Sequence, residues 1–237
     1  MTGKALTVAE IAKMIDHSLL RPTLSDAEFD EGIEVVKKYR CATVMVAPYD
    51  VKKAVMCLKG TGILVSTVVD FPQGSNLTAS KVFESERAIE NGAAHLDMVL
   101  AISRLVAGHL DYVEEDIRQV VETGHAHGLV VKVILETCYL TPELIVAACE
   151  ASEHAGADFV KTSTGYGTSG ANLNDVILMR ASCGPKVQVK PSGGIRTLDD
   201  VLAYRKVGAT MIGTRGTALI LEEAATRNAK GTLFELD

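Results

Sequence analysis

The chain has 237 residues, 47% of them hydrophobic, which suits one closed core in the range of roughly 200 to 250 residues that a single α/β barrel occupies. Its formal charge of −6, with basic residues scattered among acids, provides no stripe that could neutralise a run of phosphates, so nucleic acid is not an expected partner. The opening MTGKALTVAEIAKMIDHSLL has no uninterrupted apolar core and the longest apolar runs fall far short of a membrane span, so a cytoplasmic protein without a membrane partner is expected.

Short apolar β-branched runs alternate with longer segments of helical period, and no linker or low-complexity stretch divides residues 1–237, so a single domain is expected. A short N-terminal helix should precede a first strand at 16–20. Further strands are expected at 43–46, 64–69, 96–100, 130–135, 159–162, 187–190 and 210–213, the number that closes a barrel. ILVSTVV and LVVKVIL are apolar on both alternating faces, as when helices cover one side of a parallel sheet and a packed interior fills the other. Ser25 with Glu28 forms a capping box ahead of FDEGIEVVKKY, and Thr141-Pro142 supplies an N-cap and an N1 proline. Gly92, Gly128, Gly156 and Gly208 stand where helices must end in a left-handed residue. The fold class expected is α/β, a single (β/α)8 TIM barrel. An open doubly wound sheet would put a glycine-rich loop after the first strand, where Asp16-His17-Ser18 stands instead. Cys41, Cys57, Cys138, Cys149 and Cys183 are odd in number, widely spaced and without a C-x-x-C pair, which suits reduced buried thiols.

Barrel strands aim side chains near their C-terminal ends at the active-site face. Asp97 in HLDMVL, Lys161 in DFVKTSTG and Lys190 in VQVKPSGG are charges embedded in apolar strands; Lys132 and Asp16 are also embedded, but less diagnostic. One such charge alone reads as a buried ion pair or a snorkelling lysine. Two lysines on successive strands read differently, because like charges held close are a poor structural device. An amine attacks a carbonyl only when neutral, and desolvation with a neighbouring ammonium lowers its pKa, by about 3–5 units when fully buried. The pattern therefore points to Lys161 as a Schiff-base nucleophile, Lys190 as its charged neighbour, and Asp97 as the group that handles protons.

Ser163-Thr164-Gly165 follows the first lysine, and Ser192-Gly193-Gly194 follows the second and leads through Arg196 into a helix near residue 198. Glycine lets backbone N–H groups approach an anion, and a helix N-terminus adds a favourable dipole. With Gly213-Thr214-Arg215-Gly216, these turns fall where barrels commonly bind phosphate, although tight turns needing positive φ would explain the glycines equally well. Thr164, Gly165, Gly193, Gly194 and Arg215 are thus candidate phosphate contacts, and Asp16 and Ser18 candidate substrate contacts. The G-x-G-x-x-G at 165–170 lacks the acidic residue that a dinucleotide site needs about 20 positions on, where Lys190-Pro191 ends the next strand. His125 and His127 diverge on their helix, and His17, His95, His109 and His154 show no ligand spacing, so no metal site is expected.

Taken together, DHSLLRP, DFPQG, GAAHLDMVL, KVILETCYLT, GADFVKTSTGY and VKPSGGIRT resemble the deoxyribose-phosphate aldolase family over nearly the whole chain, DFVKTSTG most specifically. The resemblance implies that Lys161 forms the Schiff base, that Lys190 tunes it, that Asp97 shuttles protons, and that Gly165, Gly193 and Gly194 hold phosphate. It implies reversible cleavage of 2-deoxyribose 5-phosphate to acetaldehyde and glyceraldehyde 3-phosphate, with no metal or organic cofactor. A homo-oligomer is implied too, dimers being common in the family. Departures touch the rim: Ala101 replaces a usual Asn, Met45 a frequent Cys, Asp70 a Gly, and Arg215-Gly216 the paired serines that commonly contact phosphate. Arg215 could pair with a phosphate or carboxylate, and Asp70 could repel an anion or bind a hydroxyl. A related aldolase for another small phosphorylated or carboxylated sugar, or a non-catalytic phosphosugar-binding barrel, are the alternatives; the latter has no need of two close lysines.

Overall fold

Eight parallel strands alternate with helices in the computed structural model, which describes residues 3–236. The strands are β1 (Ile15–Leu19), β2 (Thr43–Val46), β3 (Leu64–Val69), β4 (His95–Val99), β5 (Val130–Ile134), β6 (Phe159–Lys161), β7 (Gln188–Lys190) and β8 (Ile212–Thr214). They lie in one sheet in the order β7-β6-β5-β4-β3-β2-β1-β8. The two outer strands meet where the Thr210 N–H donates to the Val189 carbonyl at 3.2 Å and the Gly213 N–H to the Pro191 carbonyl at 3.0 Å, giving a nearly closed barrel. All eight expected strands are present, with ends displaced by a residue or two. β1 and β4 each begin one residue early, because Ile15 finds a partner in Ile212 and His95 partners in Ser66 and Val130.

The helices are α1 (Val8–Ala12), α2 (Asp26–Tyr39), α3 (Val51–Cys57), α4 (Thr78–Glu90), α5 (Ile102–Val106), α6 (Leu110–His125), α7 (Pro142–His154), α8 (Leu173–Ser182), α9 (Leu198–Lys206) and α10 (Thr217–Ala229). Their starts follow the sequence signals. At α2 the Glu28 N–H donates to Ser25 Oγ at 3.3 Å while the Ser25 N–H donates to Glu28 Oε2 at 2.8 Å, so two otherwise orphaned donors are satisfied reciprocally. Equivalent boxes open α1 at Thr7 and Glu10 and α9 at Thr197 and Asp200.

Alternation along each strand divides the core in two. Val44, Val46, Leu96, Met98, Val131 and Val133 join helix residues such as Phe29, Ile33, Ile117 and Val120 in one continuous apolar layer. Each such side chain taken fully from water stabilises the fold by about 1.5–3 kcal/mol. The alternate residues face the barrel interior, and among them are Asp16, Asp97, Lys132, Lys161 and Lys190, all of them buried. A set of five charges has thus been placed on the inner face by the same period that buries the valines. All five cysteines are free thiols, but only Cys41 and Cys149 are buried; Cys57, Cys138 and Cys183 are half-buried, with Cys57 and Cys183 packed against the edge of the apolar core.

Candidate active site

The middle of β4 and β5 and the ends of β6 and β7 bring three amines onto one carboxylate. Lys132 Nζ donates to Asp97 Oδ1 at 2.6 Å, while Lys161 Nζ and Lys190 Nζ both donate to Oδ2, at 2.9 and 2.7 Å. Strand register sets this arrangement, since Asp97 is paired with Lys132 and Lys161 with Lys190. Lys190 also donates to Asp16 Oδ2, and Thr43 Oγ1 to Asp16 Oδ1 at 2.5 Å. Asp97, Lys132 and Lys190 are fully buried, and Lys161 retains 4% exposure, so it is the amine with a path to a bound molecule.

Burial is the largest influence on each of these groups, and what opposes it differs. At Lys161 burial, aided by Lys190, outweighs the attraction of Asp97 and lowers the pKa. At Lys132 the same balance holds it down to about 8. At Lys190 the two carboxylates, Asp16 and Asp97, overcome burial and raise it. Burial resists ionisation of Asp97, yet Lys132, Lys161 and Lys190 together hold its carboxyl well below the ordinary range. His95, on the same face of β4, is pushed by burial down to about 3 and its Nδ1 has no hydrogen-bond partner, which makes it a neutral barrel-interior residue.

Above the amines opens a cavity of about 580 Å³. Lys161 and Lys190 form part of its floor, and Asp97 lies beneath them. Asp16, Ser18, Thr164, Gly165, Gly193, Gly194 and Arg215 all line it, so the structure gathers every candidate contact around one space. Gly193 and Gly194 both have φ of +85°, which only glycine adopts freely, and turn their backbone into the loop that leads to α9. Of the glycines of 165–170, Gly165 takes a φ of +88°, while Gly167 and Gly170 are needed for close packing against Cys138 and Gly193. A Cβ at Gly170 would collide with the Gly193 carbonyl, and the Ala171 N–H donates to the carbonyls of Ser192 and Gly193, both at 3.1 Å.

Asp70 does not face this cavity. Its Oδ2 accepts from the Asn76 N–H at 2.9 Å and its Oδ1 from Asn76 Nδ2 at 2.7 Å, with the buried Lys81 ammonium 3.5 Å away. The carboxylate is consumed in holding the β3–α4 loop, which corrects the expectation that it repels an anion or binds a hydroxyl. Ala101 is the N-cap residue of α5 and is likewise absent from the cavity wall. Lys132 and Asp16, less diagnostic in the sequence, are bonded directly into the amine cluster.

Three further features come only from the fold. Arg21 reaches the cavity from the β1–α2 loop, with its Nη2 donating to Glu28 at 2.5 Å. Tyr166 spans the mouth, its hydroxyl donating to the Leu20 carbonyl at 2.7 Å and its ring packing edge-on against Phe71 at 5.5 Å. Glu136, buried just past β5 at φ +55°, accepts from the Thr164 N–H at 3.2 Å and from its hydroxyl, fixing the turn after Lys161. An acid directly after an apolar strand was the available signal for Glu136; Arg21 and Tyr166 stand within the DHSLLRP and GADFVKTSTGY motifs but carry no periodicity that would aim them at the cavity. Among the described residues, no three His, Cys, Asp or Glu side chains are grouped to hold a metal ion, and no helix is long and apolar enough to cross a membrane.

Residues 11–221 match the DeoC/LacD family aldolase. A curated deoxyribose-phosphate aldolase of Rhodopirellula baltica is 46% identical over 215 residues, covering 91% of this chain and 89% of that protein. One from a Thermoanaerobacter species is 48% identical over 214 residues, covering 90% and 96%. The solved tetrameric deoxyribose phosphate aldolase of Aeropyrum pernix superposes with a TM-score of 0.86 at 28% identity, covering 93% of each chain.

Proposed function

The chain belongs to the DeoC/LacD family of aldolases, and on that premise we propose that it reversibly cleaves 2-deoxy-D-ribose 5-phosphate to acetaldehyde and D-glyceraldehyde 3-phosphate through a Schiff base on Lys161. The observation that carries this reading is the pair of amines on one carboxylate oxygen, Lys161 shifted down and Lys190 shifted up. Neutral Lys161 attacks the C1 carbonyl to give a carbinolamine, which loses water to form an iminium ion. A proton then leaves the C3 hydroxyl, the C2–C3 bond breaks, and its electron pair moves to the iminium nitrogen. Glyceraldehyde 3-phosphate departs, the enamine takes a proton at C2, and water releases acetaldehyde and the free amine. Asp97 Oδ2, hydrogen-bonded to both amines, connects them for these protons.

The phosphate lies against Gly165, Gly193, Gly194 and Thr164, with Arg215 beside it, and Asp16 and Ser18 border the sugar. In this reading the iminium nitrogen is the electron sink, and no metal or organic cofactor takes part. One barrel domain over 1–237, a cytoplasmic location and a homo-oligomer, in the first instance a dimer, complete it. Five free thiols support the location, and the tetrameric relative supports self-association. Arg215, with no ion pair among the described residues, favours as a second reading another small phosphorylated or carboxylated sugar.

Borohydride trapping with 2-deoxyribose 5-phosphate, followed by peptide mass mapping and a coupled assay for glyceraldehyde 3-phosphate, tests the proposal. An adduct on Lys161 with turnover is expected. An adduct without turnover transfers the chemistry to the second reading, and no adduct on any lysine leaves a sugar-phosphate-binding barrel.

A further inference from the structure

Lys132 has no place in the reaction just described, yet it is fully buried at the centre of the cluster. Its Nζ takes Asp97 Oδ1 at 2.6 Å, and the Phe159 ring centroid is 6.0 Å away. Three amines therefore meet two carboxylates in direct contact. Lys190 is held by both, Lys132 by one oxygen of its own, and Lys161 shares Oδ2 at 2.9 Å, the longest of the three bonds to Asp97. A third ammonium in so dry a place carries a desolvation cost that its bond to Asp97 offsets, and removing it leaves Oδ1 without that donor.

We infer that Lys132 is a positioning residue for the Schiff-base chemistry: it pins Asp97 through Oδ1 and contributes the excess positive charge that makes Lys161 the amine to give up its proton. The inference rests on the reading of Lys161 as the nucleophile. Held down to about 8, Lys132 remains largely charged at neutral pH. With Lys132, Lys190 and both aspartates charged, a protonated Lys161 leaves the cluster at +1 and a neutral Lys161 leaves it uncharged. Without the Lys132 charge, the same two states become neutral and −1, and the proton is retained. Of the other titratable groups, His95 faces the cluster from β4, where burial holds it near 3. His17 turns to the outer face of β1, its Nδ1 2.8 Å from Thr217 Oγ1, with burial holding it near 4, and Cys41 lies in the outer apolar layer with its thiol pushed up to about 12. Glu136, past β5, is engaged by the Thr164 N–H in wild type and variants alike.

The test is the rate at which acetaldehyde and borohydride trap Lys161 between pH 6 and 10, in the wild type and in Lys132→Met and Lys132→Gln. Loss of a unit charge a few ångströms away shifts a neighbouring amine by about one to two pH units. Trapping at pH 7 should fall at least about tenfold and recover towards the wild-type rate above pH 9. Glutamine can still donate to Oδ1, so an equal shift in both variants assigns the effect to charge, and Lys132→Arg should restore the wild-type limb. A uniform loss at every pH, or an arginine variant that behaves like methionine, overturns the inference. If the neutral variants do not fold, wild-type protein carrying 13C at lysine Cε decides. Two resonances titrating below the ordinary lysine range, one of them lost on trapping, support the inference, and a single such resonance overturns it. No wild-type adduct at any pH removes the Schiff-base reading and this inference with it, whereas an adduct with an unmoved limb removes this inference alone.

Discussion

Lys161 and Lys190 are register partners at the ends of β6 and β7, and both donate to Oδ2 of Asp97, at 2.9 and 2.7 Å. Their pKa values move in opposite directions, because Lys190 alone is also held by Asp16. Lys190→Met gives Lys161 an undivided oxygen and removes a repelling charge, so Lys161 stays protonated to higher pH. Since only the neutral amine reacts, kcat/KM at pH 7 should fall by at least about a hundredfold, an effect of two pH units, and recover in part as pH rises. A pH–rate profile checks this; an acid limb that stays in place would free Lys161 from the control of Lys190.

Asp97→Asn should be costly in a way that depends on pH. It leaves three buried amines to Asp16 alone, and breaking a buried pair typically costs about 3–5 kcal/mol. Lys132 and Lys161 then titrate in the folded state further below their unfolded value of about 10.4, and Lys190 loses one of the two carboxylates that raise it. The unfolded chain binds more protons across that interval, so stability rises with pH. Urea unfolding should show a deficit of this order at pH 7 that shrinks towards pH 10. A deficit independent of pH would mean that Asp97 holds the barrel by other contacts.

Asp97, Lys161 and Lys190 are legible in the sequence because a charge inside an apolar strand is anomalous, and the period-2 rule says which way it points. Lys132 and Asp16 carry the same anomaly, but the role of Lys132 depends on the register that sets it beside Asp97, and that of Asp16 on the closure that brings β1 and β8 round to Lys190 on β7. Asp70 shows the converse limit. A motif places it beside the cavity loop, yet its side chain is drawn to Asn76 and Lys81, a contact between loop and helix that no local pattern encodes. Arg21 and Tyr166 sit on loops without periodicity, so their convergence at the mouth is visible only in three dimensions.

The loops after β6 and β7, which hold the phosphate in the proposed reading, depend on a backbone contact that admits no side chain. Gly170 lies against the Gly193 carbonyl, and its flanking Ala171 N–H ties the loops together. Gly170→Ala must separate them, because the colliding atom belongs to the backbone and cannot rotate away. Overpacking of this kind costs about 1–3 kcal/mol. KM for the phosphorylated substrate should rise several-fold while acetaldehyde trapping on Lys161 stays near the wild-type rate. Equal loss of both would show that the contact supports the amine cluster as well.

In the proposed reading, Arg215 is the residue that bears on substrate identity. It is exposed on the cavity wall after β8, and it has no ion pair among the described residues. A guanidinium there can grip a dianion in a bidentate manner, a bond to a charged group worth about 1.5–3 kcal/mol. Arg215→Ser should raise KM for 2-deoxyribose 5-phosphate about tenfold or more, with kcat within about twofold, because the contact is made equally in ground and transition states. Unphosphorylated 2-deoxyribose should be unaffected by the change. An equal fall in kcat for both sugars would instead put Arg215 in the chemistry. An unchanged KM for the phosphate, with a raised KM for a carboxylated sugar, would transfer the natural substrate to that class.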